Sequence, residues 1–491
     1  MPDIARKHLF ALLLFLVALT ILTYIRRPPT GDDAWFAEQS YWLLKDGKIR
    51  SEFFRGLIGW ENQILVSHKL FVHCGALLIS VFGFYLPVPQ FAGFIFFLIF
   101  LVELILYIKK REGSLSTWYL PAILILVFSN RVLVKMSFEN RPEMMLAALG
   151  FGSFLLIQDD RKIWKSLVAG LLAGAAMLCH LNGVIFLLAG FLTLIFRKDY
   201  MQMIAFSISG GIIASLYWVD VLHANSGFSI WKYQFTNDPA TQQALGSASK
   251  LLQLVTYPHL FFHSPEQIAL SLLTVFLFWS QRKLLRRLPV FLRIYALILF
   301  SCFWLITKAN TGTYQLLFIP FMLALVYELI RLKPFNNAGL KLVLAIYLVI
   351  GIVGMVQIIR RNFTMEYLPV SYQKLRSVIG NSKVGLVPLT FLFNEYERYP
   401  RLLTHENYKL QCGKRGMTTD KMARWAHRSG ADFILMDYKF ITESYYPKAG
   451  TKRIPFYKLS FFDGRFSVYK KYLYPLLAPK KQEHHRRRKD H

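Results

Sequence analysis

The chain has 491 residues, of which 54% are hydrophobic, 16% aromatic and 18% charged, and 58 Lys plus Arg against 29 Asp plus Glu leave a net charge of +29. The charged share is well below the roughly one quarter of a soluble domain, and the apolar residues fall in blocks near the ~20 residues that span ~30 Å of hydrocarbon as helix, which excludes an ordinary soluble enzyme. No nucleic-acid motif accompanies the basic excess, so it reads as topology signal and lipid-phosphate contact.

In chain order, the first apolar block (residues 10–25) follows Arg6 and Lys7 and ends in Thr23-Tyr24-Ile25-Arg26-Arg27, with no small-x-small cleavage site. It is expected to be a retained first span, not a signal peptide. Further basic clusters flank the blocks at Lys109/Lys110/Arg111, Arg161/Lys162/Lys165, Arg197/Lys198, Arg282/Lys283/Arg286/Arg287 and Arg331/Lys333/Lys341. Placing every cluster in the cytoplasm satisfies the positive-inside rule and requires an even number of crossings between consecutive clusters. The predicted pairs are residues 8–25 with 90–108, 115–134 with 141–157, 166–179 with 182–196, 202–221 with 266–280, and 290–307 with 314–330. A last span over 340–358 brings the count to about eleven and leaves the C-terminus outside. Residues 62–86 are also apolar, but counting them as a span would put the Lys109/Lys110/Arg111 cluster outside. Asn62, Lys69, His73 and Ser80 share one helical face, so this segment reads as an amphipathic helix in the outer interface.

Three stretches then lie on the outer face: residues 26–88, the aromatic loop 222–265, and 361–491. The last reads as a small α/β domain, with strands at 383–391 and 432–438 and a helix at 419–429 between Thr418 and Gly430. A hairpin of 456–461 and 465–470 turns at Asp463-Gly464. The expected organisation is a transmembrane domain over 1–360, an outer α/β domain over 361–478, and a basic disordered tail over 479–491, either solubilising or in contact with anionic lipid. No internal repeat is visible, which counts against transporters built from repeated halves.

The first outer loop opens with a short helix, Thr30-Gly31-Asp32-Asp33-Ala34-Trp35-Phe36, that stops at Gly47, a residue suited to the left-handed position after a helix. Ala34, Ala37, Tyr41 and Leu44 share one apolar face, so the helix should lie on the membrane surface with both acids at its N-terminal end. Structurally, Asp32 would be the N-cap and Asp33 would favour the helix dipole. Chemically, a carboxylate at the bilayer surface can take a proton from an acceptor hydroxyl, and a neighbouring acid would raise its pKa toward the working pH. A second constellation, Arg131, Lys135, Glu139, Arg141 and Glu143, occupies the outer turn between the third and fourth spans. Charges this close to hydrocarbon need partners or a solvated cavity. They read either as an ion-pair network anchoring a helix end or as a site where Arg131 or Arg141 binds lipid phosphate and Glu143 faces Asp32. Lys308 is either a further phosphate ligand or a snorkelling lysine, and Glu103, within the second span, is expected to snorkel inward. Trp231, Tyr233, Tyr257 and His259 in the aromatic loop are expected to shape an acceptor site.

Cys74, Cys179, Cys302 and Cys412 are far apart and form neither a disulfide framework nor a metal spacing. His68 and His73 lack a third ligand, so no metal site is assigned. Two adjacent carboxylates alone make a poor metal site, which leaves the need for a divalent cation open. Without a Walker A or Rossmann glycine pattern, a lipid-carried donor fits better than a cytoplasmic nucleotide.

An acidic pair just after the first span, then an aromatic, an alanine and the ending Leu43-Leu44-Lys45-Asp46-Gly47, resembles the first-loop motif of the GT-C superfamily glycosyltransferases. The likeness is greatest to their protein O-mannosyltransferase and aminoarabinose-transferase branch. Leu178-Cys179-His180-Leu181-Asn182-Gly183 falls where those proteins carry a Thr-Lys-x-Gly-like turn. Thr307-Lys308-Ala309-Asn310-Thr311-Gly312-Thr313-Tyr314, ahead of residues 316–320, resembles their Lys-x-x-Tyr-Leu-Leu-Pro segment. The resemblance covers residues 8–330 by architecture and only short motifs by residue. It implies an all-α polytopic membrane fold of GT-C type, with interfacial helices in the first outer loop, plus the C-terminal α/β domain. It also implies transfer of a sugar from a polyprenyl-phosphate carrier to a lipid, glycan or protein acceptor on the outer face of a bacterial inner membrane, with the N-terminus cytoplasmic. The reaction would be an inverting displacement with Asp32 as base, Asp33 its second member and Glu143 a further acid. This chain has Asp-Asp where the pair is usually Asp-Glu, and Glu61-Asn62-Gln63 where aminoarabinose transferases have Glu-Lys-Pro. Lys69 therefore joins Arg131, Arg141 and Lys308 as a candidate carrier-phosphate cation. The alternatives are a transporter or flippase of a lipid-linked or anionic solute and a non-catalytic subunit of an envelope glycan system. A transporter should carry its ionisable residues mid-span on broken helices, whereas here they gather at outer helix ends.

Overall fold

A computed structural model describes residues 3–113, 118–158, 162–239, 247–306, 312–332, 338–413, 416–439 and 443–472. They fall into two units. The first comprises Met1–Ser51, Ile58–Ser371 and Leu392–Asn394, and the second Glu52–Leu57, Tyr372–Phe391 and Glu395–His491.

The first unit is helical. Each predicted span overlaps a helix: α1 (Asp3–Tyr24), α4 (Pro87–Glu112), α5 (Tyr119–Phe128), α7 (Glu143–Gln158), α8 (Ile163–Cys179), α9 (Val184–Phe196), α10 (Tyr200–Ser215), α14 (Pro265–Ser280), α15 (Val290–Ile306), α16 (Ile319–Leu332) and α17 (Ala338–Thr364); the predicted spans 115–134 and 202–221 are each broken, after Phe128 and after Ser215. Between them lie α2 (Gly31–Asp46), α3 (Lys69–Phe82), α6 (Arg131–Met136), α11 (Val219–His223), α12 (Gly227–Asn237) and α13 (Ser247–Thr256). By length and composition, α1, α4, the Tyr200–His223 stretch and α17 are each long and apolar enough to cross a membrane, and most of the others are apolar but shorter. The chain is thus a polytopic, all-α membrane protein with a small C-terminal sheet domain.

Helix ends sort by charge. Arg111 of α4 donates to Glu328 of α16 at 2.6 Å, and Arg331 pairs with Glu112 at 3.0 Å. Arg197, after α9, donates to the carbonyls of Ile157 and Gln158 at the end of α7. Near the start of α4, Gly93 lies against the carbonyls of Met136, Ser137 and Glu139. Further along, Glu103 lies against Gly152 of α7. So α4 and α7 run side by side in one direction, and these basic clusters gather at one end of the bundle. Glu103 does not snorkel away from its neighbours: its carboxyl packs on Gly152, and its Oε2 has no hydrogen-bond partner among the described residues. Small residues set a close crossing, where Gly170 and Gly174 of α8 meet Ser209 and Gly210 of α10, the small-xxx-small packing by which membrane helices approach without a hydrophobic driving force.

The second unit is a six-stranded sheet in the order β2-β1-β3-β6-β5-β4. Its strands are β1 (Val384–Val387), β2 (Arg401–Thr404), β3 (Phe433–Asp437), β4 (Arg453–Ile454), β5 (Tyr457–Phe462) and β6 (Phe466–Lys471). β1 pairs in parallel with β2 and β3, while β6 runs antiparallel to β3 and β5. The predicted helix is Thr419–Arg428, with Thr418 accepting from the Lys421 N–H and Gly430 beyond it at φ +79°. The hairpin turns at Asp463-Gly464, where the Asp463 carboxylate accepts from the N–H groups of Arg465 and Phe466. β2 and β4 are additional to the predicted strands. Also unforeseen is the inclusion of Glu52–Leu57, which the sequence grouped with the transmembrane domain. The Arg55 carbonyl accepts from Asn407 at 3.0 Å and Gln411 at 2.9 Å, and Phe53 packs edge-on against Tyr396. The tail over 479–491 lies outside the described residues.

Candidate active site

Helix α2 begins with a capping box. Thr30 is extended (φ −93°, ψ 170°), its hydroxyl accepts from the Asp33 N–H, and the Asp33 carboxylate accepts from the Thr30 N–H at 2.6 Å. The N-cap is therefore Thr30 and not Asp32, because the box needs an acid three residues on and only Asp33 stands there. Asp33 takes more than the box. It accepts from the Asn140 N–H at 2.6 Å and the Gln90 amide at 3.1 Å, while the Asn140 side chain donates to the Asp33 carbonyl at 3.1 Å. Asp33 is fully buried. Burial pushes its carboxyl above the ordinary value, against the hydrogen bonds from Thr30, Asn140 and Gln90, which favour the ionised form. At the other end, Gly47 is left-handed (φ 68°) and its N–H returns to the Leu43 carbonyl, as expected. Of the predicted apolar face, Ala34, Ala37 and Tyr41 are buried and Leu44 is exposed.

The two neighbouring acids therefore have different environments. Asp32 keeps 46% of its side chain exposed and is held on one side by Arg141 Nη1. Arg141 in turn binds Glu143 through two parallel bonds, Nε to Oε2 at 3.1 Å and Nη2 to Oε1 at 2.6 Å. The Glu143 side chain is only 3% exposed. The guanidinium thus lies between two carboxylates, those of Glu143 and Asp32. A separate network lies alongside. Arg27 donates to the Lys135 carbonyl at 2.8 Å and pairs with Glu139 at 3.4 Å, and Lys135 reaches Glu139 at 3.7 Å. Burial pushes the Glu139 carboxyl up. One network of the charged turn thus anchors α1 to α6, and the other brings Arg141 to Asp32.

The turn at residues 178–183 joins this site. Cys179 Sγ contacts the Pro142 carbonyl at 3.8 Å, and the His180 ring stacks on His68 at 4.3 Å. His68 lies 5.1 Å from the Phe36 ring, and Tyr314 meets His180 edge-on. Tyr314 is within electrostatic reach of Glu143, Arg141 and Asp32. Thr30, His68, Gln90, Asn140 and His180 were not foreseen as site residues. The only signals were the Thr30–Asp33 spacing and the position of the His180 turn.

The other sequence candidates are not gathered here. Arg131 pairs with Glu266 at 3.1 Å and donates to Gln357 at 3.3 Å, on α14 and α17. Lys69 is buried, donates to the Tyr217 carbonyl at 2.5 Å and pairs with Asp220 at 3.1 Å, so it lies within protein and does not face Asp32. Trp231 stacks on Phe235 and donates to the Tyr217 hydroxyl, and Tyr233 is exposed. Tyr257 donates to the Phe300 carbonyl at 2.7 Å, and His259 contacts His263 at 3.0 Å. The aromatic loop therefore splits into two groups. Lys308 lies outside the described residues. Among the described residues, no group of three or more His, Cys, Asp or Glu is disposed to hold a metal; a guanidinium, not a cation site, joins Asp32 to Glu143.

No protein-family model and no curated protein matches the sequence itself. The fold does match solved structures. ArnT from Cupriavidus metallidurans matches in the apo state with a TM-score of 0.58 and bound to undecaprenyl phosphate with a TM-score of 0.57. Each is 13% identical over 95% of this chain and 98% of the other. The oligosaccharyltransferase of Archaeoglobus fulgidus, in its apo form, matches with a TM-score of 0.52 at 10% identity, over 88% of this chain and 70% of that one. At such identities the likeness is one of fold.

Proposed function

We propose that this chain is a membrane glycosyltransferase that moves a sugar from a polyprenyl-phosphate carrier to an acceptor hydroxyl at the outer face, with Asp32 as general base. The observation that carries the reading is the unequal pair at the start of α2: Asp33 is consumed by structure, while Asp32 stays half-exposed and is oriented by a guanidinium already clamped to buried Glu143. A base must be fixed in direction yet open to its substrate, and Asp32 meets both needs. The shared fold with a protein crystallised with undecaprenyl phosphate supports the carrier class.

In the proposed step the acceptor O–H gives its proton to the free oxygen of Asp32 and its oxygen bonds to the sugar's anomeric carbon. The bond from that carbon to the carrier phosphate breaks, and the phosphate leaves with the electron pair. Arg141 has five N–H donors; Glu143 and Asp32 take three, which leaves two for a phosphate oxygen. Lys308 is the further cation proposed for the carrier, and Glu143 acts through Arg141 as a positioning residue.

The test is mass spectrometry of envelope lipids and glycans from a strain lacking the gene, complemented with the wild type or Asp32→Asn. The wild type should restore one missing sugar, and Asp32→Asn should not, at equal folded yield. Full restoration by Asp32→Asn would sink the base assignment and favour a transport or non-catalytic role.

A further inference from the structure

A cavity of about 890 Å³ lies beside the C-terminal end of α2, bounded by the stretch after that helix, by α3 and by α11 and α12. Helix α2 has 16 residues and is therefore ~24 Å long, so this cavity is remote from Asp32. The volume suits a binding site, and the chemistry of its wall is specific.

His73 on α3 and His223 at the end of α11 hold the same posture. Each places Nδ1 at 2.8 Å from the carbonyl four residues back, of Lys69 and of Val219 respectively. A carbonyl cannot donate, so each Nδ1 carries the proton and each Nε2 presents a lone pair. Asp220 adds a carboxylate, whose charge is matched from within the protein by Lys69 at 3.1 Å. Exposed Asn62 supplies a donor and an acceptor together, and the Tyr233 ring is 55% exposed. Lys48 is the only Lys or Arg among the lining residues. Two imidazole lone pairs and a carboxylate would repel phosphate or carboxylate oxygens, and they would accept from hydroxyl groups. An aromatic face beside planar polar side chains suits the alternating C–H and O–H surface of a pyranose.

We propose that this cavity binds carbohydrate, namely a stretch of glycan remote from the transfer site. As a sugar site it stands on this geometry alone. As the acceptor's distal subsite it rests on the transferase reading and makes the acceptor an extended glycan or glycolipid.

The experiment uses the full chain in nanodiscs, with binding of maltotriose, chitotriose and mannotriose read by saturation-transfer NMR and inorganic phosphate added as competitor. At least one trisaccharide should bind at millimolar concentration without competition from phosphate. The double variant His73→Ala/His223→Ala and the single variant Tyr233→Ala should each weaken it by about tenfold. His73→Gln/His223→Gln, which keeps an acceptor oxygen on each side chain, should retain binding, which separates recognition from misfolding. Asp32→Asn should bind sugar like the wild type, so a failed transferase reading would leave this result standing. Three outcomes overturn the proposal: none of the trisaccharides binds, binding is indifferent to all these substitutions, or phosphate binds and Lys48→Ala removes it.

Discussion

Asp32 and Asp33 are adjacent and chemically identical, yet one is solvent-facing and the other buried under four hydrogen bonds. The difference follows from helix geometry: the residue three beyond the cap turns back to the cap's own N–H, and the residue before it points away. Asp33→Asn should therefore act on stability. It would replace one carboxylate oxygen by an amine facing donors, which should cost about 1–3 kcal/mol. The readout is the unfolding midpoint of the purified protein, and Asp32→Asn should leave that midpoint within about 0.5 kcal/mol of the wild type. Equal destabilisation by the two would mean that the pair is structural throughout. Arg141→Lys keeps the charge but loses the two-point grip on Glu143. It should lower sugar transfer by about tenfold or more while leaving folded yield intact.

At the scale of elements, α2 is held by its ends. Its cap should contribute about 1 kcal/mol, so Thr30→Ala should lower stability by about that amount and fray the first turn, which hydrogen exchange at Ala34 would report. The crossing of α8 and α10 depends on glycine in a different way. Gly174 lies against the backbone of Gly210, and backbone cannot step aside as a side chain can. Gly174→Val should separate the helices and sharply reduce folded yield, measured by monodisperse gel filtration in detergent. In the second unit, β1 and β3 were visible as apolar runs, but β2 and β4 were not. β2 has only Leu402 and Leu403 as apolar residues and β4 has two residues in all, so neither forms an apolar run; each pairs along one edge of a neighbouring strand.

For the whole molecule, the odd crossing number expected from the basic clusters would put the N-terminus and the C-terminal unit on opposite sides of the membrane. Cys412 is free and exposed on that unit. An impermeant thiol reagent should label it in spheroplasts without lysis, and Cys412→Ser should abolish that signal. Protection until lysis would refute the topology. The same unit carries a buried histidine and a half-buried glutamate, adjacent in sequence, with opposed titrations. Burial lowers His405 to about 4 and raises Glu406 to about 7. His405 contributes stability that is present above its unfolded value of 6.5 and is lost as pH falls toward 4. Glu406 contributes stability that is complete below 4.5 and is lost as pH rises through 7. Between 4.5 and 6.5 the two slopes cancel. Glu406→Gln should expose the histidine alone, so that the unit loses about 3 kcal/mol between pH 6.5 and 4. Urea titration of the full chain, followed by exchange at the β3 amides, would show a flat profile if His405 were not neutral when buried.

The sequence by itself determined the class, the spans, the short helix that carries the acids and its glycine stop. Those follow from local chemistry: apolar length against bilayer thickness, basic ends, and turn residues with particular backbone needs. The tertiary structure alone decided which acid is free, because Gln90 and Asn140 reach Asp33 from elements 57 and 107 residues away. It likewise turned Lys69 inward toward Asp220, stacked His68 on His180, and drew Glu52–Leu57 into the second unit. Contacts between distant segments leave no period and no spacing in one chain, so they become visible only when packing brings their partners together.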